Sequence, residues 1–302
     1  METPEFVQIK EVGPRDGLQN EKRIVPTEQE IEWIDLLSET GLSYIEITSF
    51  VNPKWIPQLA DALEVSRKIN RKKSITYAAL VPNRRGLENA LLANIDEVSI
   101  FMSASETHNQ NNINKSIADT FPILREVAED AVKSGKSTRA YISTVFGCPF
   151  EGDVKVESVL HICDKLFSMG VDEVSLGDTI GVANPKQVEE VLEEVSKRFN
   201  KDQIALHFHD TRGMALANTV VAINQGYTIF DSSLGGLGGC PYAPGATGNV
   251  ATDDLVHMLE VMGIRTGIDE GLLGKAADYI QSQMGLALSS KVAAIQKSKE
   301  RK

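Results

Sequence analysis

Apolar and polar positions along the chain follow two alternating rhythms. Short runs rich in apolar and β-branched residues read as strands: Val7–Val12, Tyr44–Thr48, Ser74–Leu80, Glu97–Met102, Arg139–Val145, Glu173–Gly177, Gln203–His209 and Ile229–Ser233. Between them the apolar residues return with the period of an amphipathic helix, as in Glu28–Thr40, Asp119–Ser134, Lys155–Met169 and Pro185–Phe199. Thr27 before Glu28, and Asn184 before Pro185, sit where helix caps belong. Gly41, Gly135, Gly170 and Gly226 follow helices, where a left-handed cap favours glycine. Strand–helix alternation repeated eight times predicts a parallel sheet of the α/β class, and eight units fit a closed (β/α)₈ TIM barrel better than an open sheet. No Gly-x-Gly-x-x-Gly follows the first strand, which leaves a dinucleotide fold without support. From about Ile264 the pattern is of extra helices, so residues 1–270 are expected to form the barrel and 271–302 a C-terminal helical extension packed on it. The polar segment Ser103–Ser116, with four asparagines within Asn109–Asn114, is expected to be a long loop after strand four that covers the substrate.

Composition narrows the function. The chain has 302 residues, 42% hydrophobic and 24% charged, enough to bury a large core without disulfides. A net charge of −11 argues against a nucleic-acid binder, though a local basic patch can still serve an anionic ligand. Cys148, Cys163 and Cys240 show neither zinc spacing nor a disulfide framework, which suits a reducing, cytoplasmic setting. The first residues lack the basic and apolar regions of a secretory leader, and no apolar run approaches the roughly 20 residues of a membrane span.

A barrel of this kind carries its chemistry at the C-terminal strand ends. His207 and His209 are two apart at the end of strand seven, so both face the side of Ala205, and Phe208 faces the other. Two imidazoles on one face make half a metal site; the competing reading is a pair of hydrogen-bonded core histidines. Asp16 ends strand one, where Asp-Gly also reads as an ordinary turn, and Asn249 follows strand eight. Closure places strand one beside strand eight and strand eight beside strand seven, so Asp16, His207, His209 and Asn249 can converge. Mixed oxygen and imidazole ligation with open positions fits Mg²⁺ or Mn²⁺, with zinc or cobalt as alternatives. Glu46, alternating with Ile45 and Ile47, would be a buried carboxylate in need of a partner, and Arg15 is the natural one. Arg15 then either stabilises a developing enolate oxygen or forms a structural ion pair with Glu46. Tyr141 and Asp178 occupy similar strand-end positions as substrate or supporting contacts. The glycine-rich stretch Gly235–Gly245 carries Cys240; it reads either as a phosphate-binding loop or as a mobile loop whose thiol moves a proton.

These motifs together carry a resemblance. Arg15-Asp16-Gly17-Leu18-Gln19-Asn20, Ser175–Gly181, His207-Phe208-His209-Asp210-Thr211-Arg212-Gly213 and Gly235–Tyr242 resemble the signatures of the hydroxymethylglutaryl-CoA lyases, over nearly the whole chain. The first and third motifs are shared with related synthases and aldolases that have pyruvate carboxyltransferase-like domains; the cysteine loop is more specific to the lyases. The resemblance implies metal-dependent cleavage of 3-hydroxy-3-methylglutaryl-CoA to acetoacetate and acetyl-CoA, in leucine breakdown, by a homodimer. It implies that Asp16, His207, His209 and Asn249 are metal ligands. It further implies that Arg15, Asp16, His207, Glu46 and Cys240 are catalytic, with Arg15, Gln19, Ser49, Tyr141 and Asp178 contacting substrate. His207, Asp16 and Cys240 all stand open as general base or acid. The stretch Gly285–Lys291 departs from the basic segment some members use to hold CoA, leaving Arg84, Arg85 and Lys291 as phosphate candidates. Two other functions compete: a Claisen-type synthase of the isopropylmalate or homocitrate kind, for whose extra C-terminal domain the tail leaves no room, and a non-catalytic acyl-CoA-binding barrel.

Overall fold

The computed structural model describes residues 4–238 and 248–300. Eight parallel strands, β1 (Gln8–Glu11), β2 (Tyr44–Ser49), β3 (Thr76–Leu80), β4 (Glu97–Ser103), β5 (Ser137–Ser143), β6 (Glu173–Asp178), β7 (Ile204–Phe208) and β8 (Ile229–Ser232), close into a barrel in chain order. The closing pair sets Gln8 to Glu11 against Ile229 to Ser232. Around it run α1 (Thr27–Ser38), α2 (Ala62–Lys68), α3 (Arg84–Leu92), α4 (Glu106–Ile113), α5 (Ile117–Lys133), α6 (Val156–Phe167), α7 (Pro185–Ser196), α8 (Ala215–Asn224), α9 (Thr252–Val261), α10 (Glu270–Ser282) and α11 (Lys291–Glu300).

Local chemistry explains most of the boundaries. Asn184 caps α7, its side chain accepting from the Gln187 amide, with Pro185 in the first turn. Gly41, Gly135, Gly170 and Gly226 all have positive φ, between 73° and 95°. The cap expected of Thr27 is instead a position inside α1: Pro26 precedes the helix, and the Thr27 hydroxyl donates to Asp61 Oδ2 at 2.5 Å. The loop expected over Ser103–Ser116 is largely helical. Ser105 caps α4, accepting from the His108 amide, and Asn114 ends it in the left-handed conformation. The Asn109 side chain is buried, accepting from Ser103 N and donating to Lys115 O and Thr120 Oγ1. The polar residues that read as loop are thus spent on caps and turn bonds.

The two faces of the strands differ sharply. Outward positions such as Ile45, Ile47, Val98, Ile100, Leu176, Leu206 and Phe208 are buried in one apolar core with the helices. Inward positions include many charged and aromatic residues. Lys10 reaches Glu173, Arg139 reaches Asp231, and Tyr141 reaches Glu46. Each of these pairs joins strands that are not neighbours, so the side chains meet across the barrel interior. At the C-terminal end, α10 packs on α1 and α9, and α11 on α9 and α10. The segment joining them folds back to the barrel mouth, where the Ser289 amide donates to Gly235 O at 2.9 Å and Ser290 pairs with Asp253. Among the described residues no helix is long and apolar enough to cross a membrane.

Candidate active site and metal centre

Beyond β1 the chain makes a single π-helical turn, Gly13–Gly17, in which the Arg15, Asp16 and Gly17 amides all point at Val12 O. That turn aims Arg15 and Asp16 into the barrel mouth. Arg15 is 5% exposed; its Nε donates to Glu46 Oε2 and its Nη1 to Asp16 Oδ1, each at 2.5 Å. Tyr141 donates its hydroxyl to the same Glu46 oxygen at 3.1 Å and lies with its ring centroid 5.0 Å from the guanidinium. Burial alone would favour a neutral arginine, but Glu46 and Asp16 outweigh it and hold Arg15 firmly charged. The buried carboxylate in β2 therefore has the partner that its position required.

Asp16, His207 and His209 each offer one ligand atom, and these atoms lie within 4.8 Å of one another. His207 Nε2 is 3.3 Å from His209 Nε2 and 3.8 Å from Asp16 Oδ2. Burial, aided by the neighbouring His207, pushes His209 down to about 4, which keeps its imidazole neutral and able to donate a lone pair. Burial raises the Asp16 carboxyl, but the Arg15 guanidinium, with the Asn249 amide donating to the same carboxylate, outweighs it and keeps it below its usual range. Asn249 arrives by a route that strand order alone does not show. Residues 248–250 run along the end of β7: the Asp210 amide donates to Gly248 O at 2.7 Å, Val250 N donates to Phe208 O at 3.0 Å, and His209 and Asn249 form an isolated antiparallel bridge. Asn249 Nδ2 donates to Asp16 Oδ2 at 2.8 Å and to Leu237 O at 3.1 Å, while its Oδ1 and His209 Nδ1 are buried without a partner among the described residues. A buried, orphaned carbonyl oxygen beside a carboxylate and two imidazoles is a donor set that suits a divalent cation. Gly238 is held here at φ 102°, where an added Cβ would meet Asn249 Nδ2 at 2.5 Å, so this backbone position admits only glycine.

Other expected residues are placed as follows. Gln19 lines the site and donates to Asp16 Oδ1 at 2.8 Å. Ser49 is buried and donates to Leu80 O. Asp178 accepts from the Val182 and Ala183 amides; burial, which those bonds only partly offset, pushes its carboxyl up to about 6. Arg84 is exposed and paired with Glu126, and the Lys291 amide donates to Asp254. Cys240 lies outside the described residues, though Gly238 and Asn249, which flank its segment, both sit against Asp16. Reading the sequence by motif misses the carboxylate behind the candidate metal site: Asp231, in register with His207, accepts from Ser175 Oγ at 2.7 Å, from Arg139 Nη2 at 2.5 Å and stands 3.1 Å from His207 Nδ1. Its signal was available: Lys10, Arg139, Glu173 and Asp231 are charges inside strands that parallel packing should bury on both faces.

The site opens into a cavity of about 630 Å³, lined by Arg15, Asp16, Tyr141, His207 and His209 at its floor and by Trp55, Asn112 and Lys115 among the residues of its walls. That volume is in the range of small-molecule and cofactor sites. A family model described as HMGL-like matches residues 6–280. The chain is 60% identical to the hydroxymethylglutaryl-CoA lyase YngG of Bacillus subtilis (strain 168), over 96% of this chain and 97% of that one. It belongs to the HMGL-like family. The HMGL-like assignment extends to structure: the HMG-CoA lyase of the same bacillus superposes with a TM-score of 0.97 at 59% identity, covering 98% of this chain and 100% of that one. An HMG-CoA lyase from Acinetobacter baumannii, solved in complex with coenzyme A and 3-methylmalate, superposes with a TM-score of 0.92 at 41% identity, covering 96% of this chain and 95% of that one.

Proposed function

We propose that this chain cleaves 3-hydroxy-3-methylglutaryl-CoA to acetoacetate and acetyl-CoA, acting as a carbon–carbon lyase that uses a divalent cation, Mg²⁺ or Mn²⁺. The observation that carries the reading is the convergence of Asp16, His207, His209 and the orphaned Asn249 Oδ1 beside a charged Arg15, at the floor of a cavity in an HMGL-like barrel. The coenzyme A complex of the Acinetobacter relative supports an acyl-CoA as the occupant of that cavity.

Asp16, His207, His209 and Asn249 would hold the cation. When bound, it supplies Lewis acidity that orients the substrate carboxylate and lowers the pKa of the tertiary hydroxyl. A base at the cavity floor accepts the hydroxyl proton. The C2–C3 bond then breaks: C3 becomes the ketone of acetoacetate, and the electron pair passes to the thioester as the enolate of acetyl-CoA. Arg15, fixed by Glu46 and Tyr141, stabilises the enolate oxygen. An acid returns one proton to the enolate carbon, so one proton leaves and one arrives. Asp16, His207 and Cys240 are the groups we assign to these two transfers. Gln19, Ser49, Tyr141 and Asp178 complete the substrate-binding set; Ser49 is anchored on Leu80 O at the end of β3, and Asp178 ties the loop amides of Val182 and Ala183. In this reading residues 1–270 are the catalytic unit, 271–302 the extension that closes on Gly235 and Asp253, and the protein works as a cytoplasmic homodimer in leucine breakdown.

The test is acetoacetate release from hydroxymethylglutaryl-CoA by the purified protein, with and without EDTA. We expect turnover that EDTA abolishes and that Mg²⁺ or Mn²⁺ restores. Condensation of acetyl-CoA with 2-oxo acids, with no cleavage of hydroxymethylglutaryl-CoA, would make the protein a Claisen-type synthase. Full activity after Cys240→Ala and Asp16→Ala would move the chemistry to another site. Light scattering reads the dimer.

A further inference from the structure

We propose that Asp231 is a positioning residue that locks His207 in the tautomer presenting Nε2 to the metal centre, and that Arg139 and Ser175 hold Asp231 in place to do so. The inference rests on the reading of His207 as a ligand. Asp231 is 1% exposed and makes three polar contacts. Arg139 Nη2 donates to Oδ1 at 2.5 Å, Ser175 Oγ donates to Oδ2 at 2.7 Å, and His207 Nδ1 lies 3.1 Å from that same Oδ2. A carboxylate paired with a guanidinium has only acceptor capacity, so the hydrogen of the third contact must sit on His207 Nδ1. A neutral imidazole with its proton on Nδ1 carries its lone pair on Nε2. That atom is the one facing Asp16 and His209. The Tyr141 ring stands edge-on to the imidazole, centroids 6.0 Å apart and planes at 87°, which opposes rotation of the ring.

The support behind Asp231 is itself anchored. Arg139 is fully buried, donates through Nε to Glu173 at 2.5 Å, and has the Tyr141 ring centroid 4.7 Å from its guanidinium. Glu173 is held in turn by Lys10 Nζ at 2.9 Å. The chain Lys10–Glu173–Arg139–Asp231–His207 therefore links strands β1, β6, β5, β8 and β7 through the barrel interior and ends on a metal-ligand atom. Groups that orient a ligating histidine typically change metal affinity by about 10- to 100-fold when removed.

The experiment uses the full chain, stripped with EDTA and ¹⁵N-labelled in its histidines, with His207 assigned by comparison with His207→Gln. A long-range ¹H–¹⁵N spectrum at mildly alkaline pH should show wild-type His207 as the single Nδ1–H form. Asp231→Asn should mix the two tautomers and weaken Mn²⁺ binding, measured calorimetrically, by about 10- to 100-fold. Ser175→Ala, which removes one anchor and leaves the carboxylate, should give the same change in smaller measure and serves if Asp231→Asn does not fold. An Nε2–H or mixed form in the wild type, or variants that fold, keep the tautomer and bind Mn²⁺ within twofold of wild type, would overturn the assignment of Asp231. A wild type that shows the Nδ1–H form but binds no Mn²⁺ would instead overturn the metal reading, and with it the purpose given to Asp231.

Discussion

The outward and inward faces of the same eight strands obey different rules. In β7, Leu206 and Phe208 join the apolar shell beneath the helices, while His207 turns to the interior and meets Asp16 and Asp231. In β5, Ala140 and Ile142 pack outward, and Arg139 and Tyr141 reach across to β8 and β2. The outward face draws its stability from area removed from water, which is non-directional and tolerant of exchange among apolar residues. The inward face is held by paired charges whose worth depends on each partner being present. One face therefore sets how firmly the barrel is built, and the other sets where the polar side chains of the candidate site stand.

Substitutions can separate the two. Ile100→Ala, fully buried and outward in β4, should cost about 2–5 kcal/mol in urea unfolding and leave turnover per folded molecule unchanged; a fall in turnover with intact stability would break the division. Glu11 is a charged exception on the outward side, with Oε1 accepting from the Gly13 and Leu234 amides and Oε2 from Thr252 Oγ1. Burial, only partly offset by those three donors, pushes its carboxyl up to about 7 from 4.5. The folded state thus takes up a proton that the unfolded chain releases, so this contribution is present below about pH 4.5 and is lost as pH rises through about 7. Across that window the wild type should lose about 3 kcal/mol relative to Glu11→Gln, read by chemical denaturation at each pH. Parallel curves for the two proteins would show that Glu11 does not titrate there. On the inward side, Arg15→Lys keeps the charge but loses the fork that bonds Glu46 and Asp16 together. It should lower kcat by about 10²-fold with little change in unfolding midpoint; unchanged kcat would return Arg15 to a purely structural ion pair. The smallest effect belongs to neither face: Asn184→Ala removes the α7 cap and should cost about 1 kcal/mol, with activity retained.

The same contrast explains what could be read in advance. Strand and helix periods are local, so the eight strands, the cap at Asn184 and the shared face of His207 and His209 were all legible, the last because side chains two apart in a strand point the same way. The pattern of Ser103–Ser116 does not separate loop from capped helix, because asparagine and serine are as much at home in caps as in loops. Asp231 stands out locally as a charge inside a strand, but nothing local shows that it meets His207, or that residues 248–250 double back along β7 to deliver Asn249.

The order of elements, the apolar shell and the residue types able to bind a cation follow from the sequence alone, because each depends on periods of two or 3.6 residues and on side-chain chemistry. Which charges meet was decided only by tertiary structure. Barrel closure brings β1 beside β8 and sets Arg139 opposite Asp231, ninety-two positions apart, and no local pattern encodes contacts made across the interior of a closed sheet.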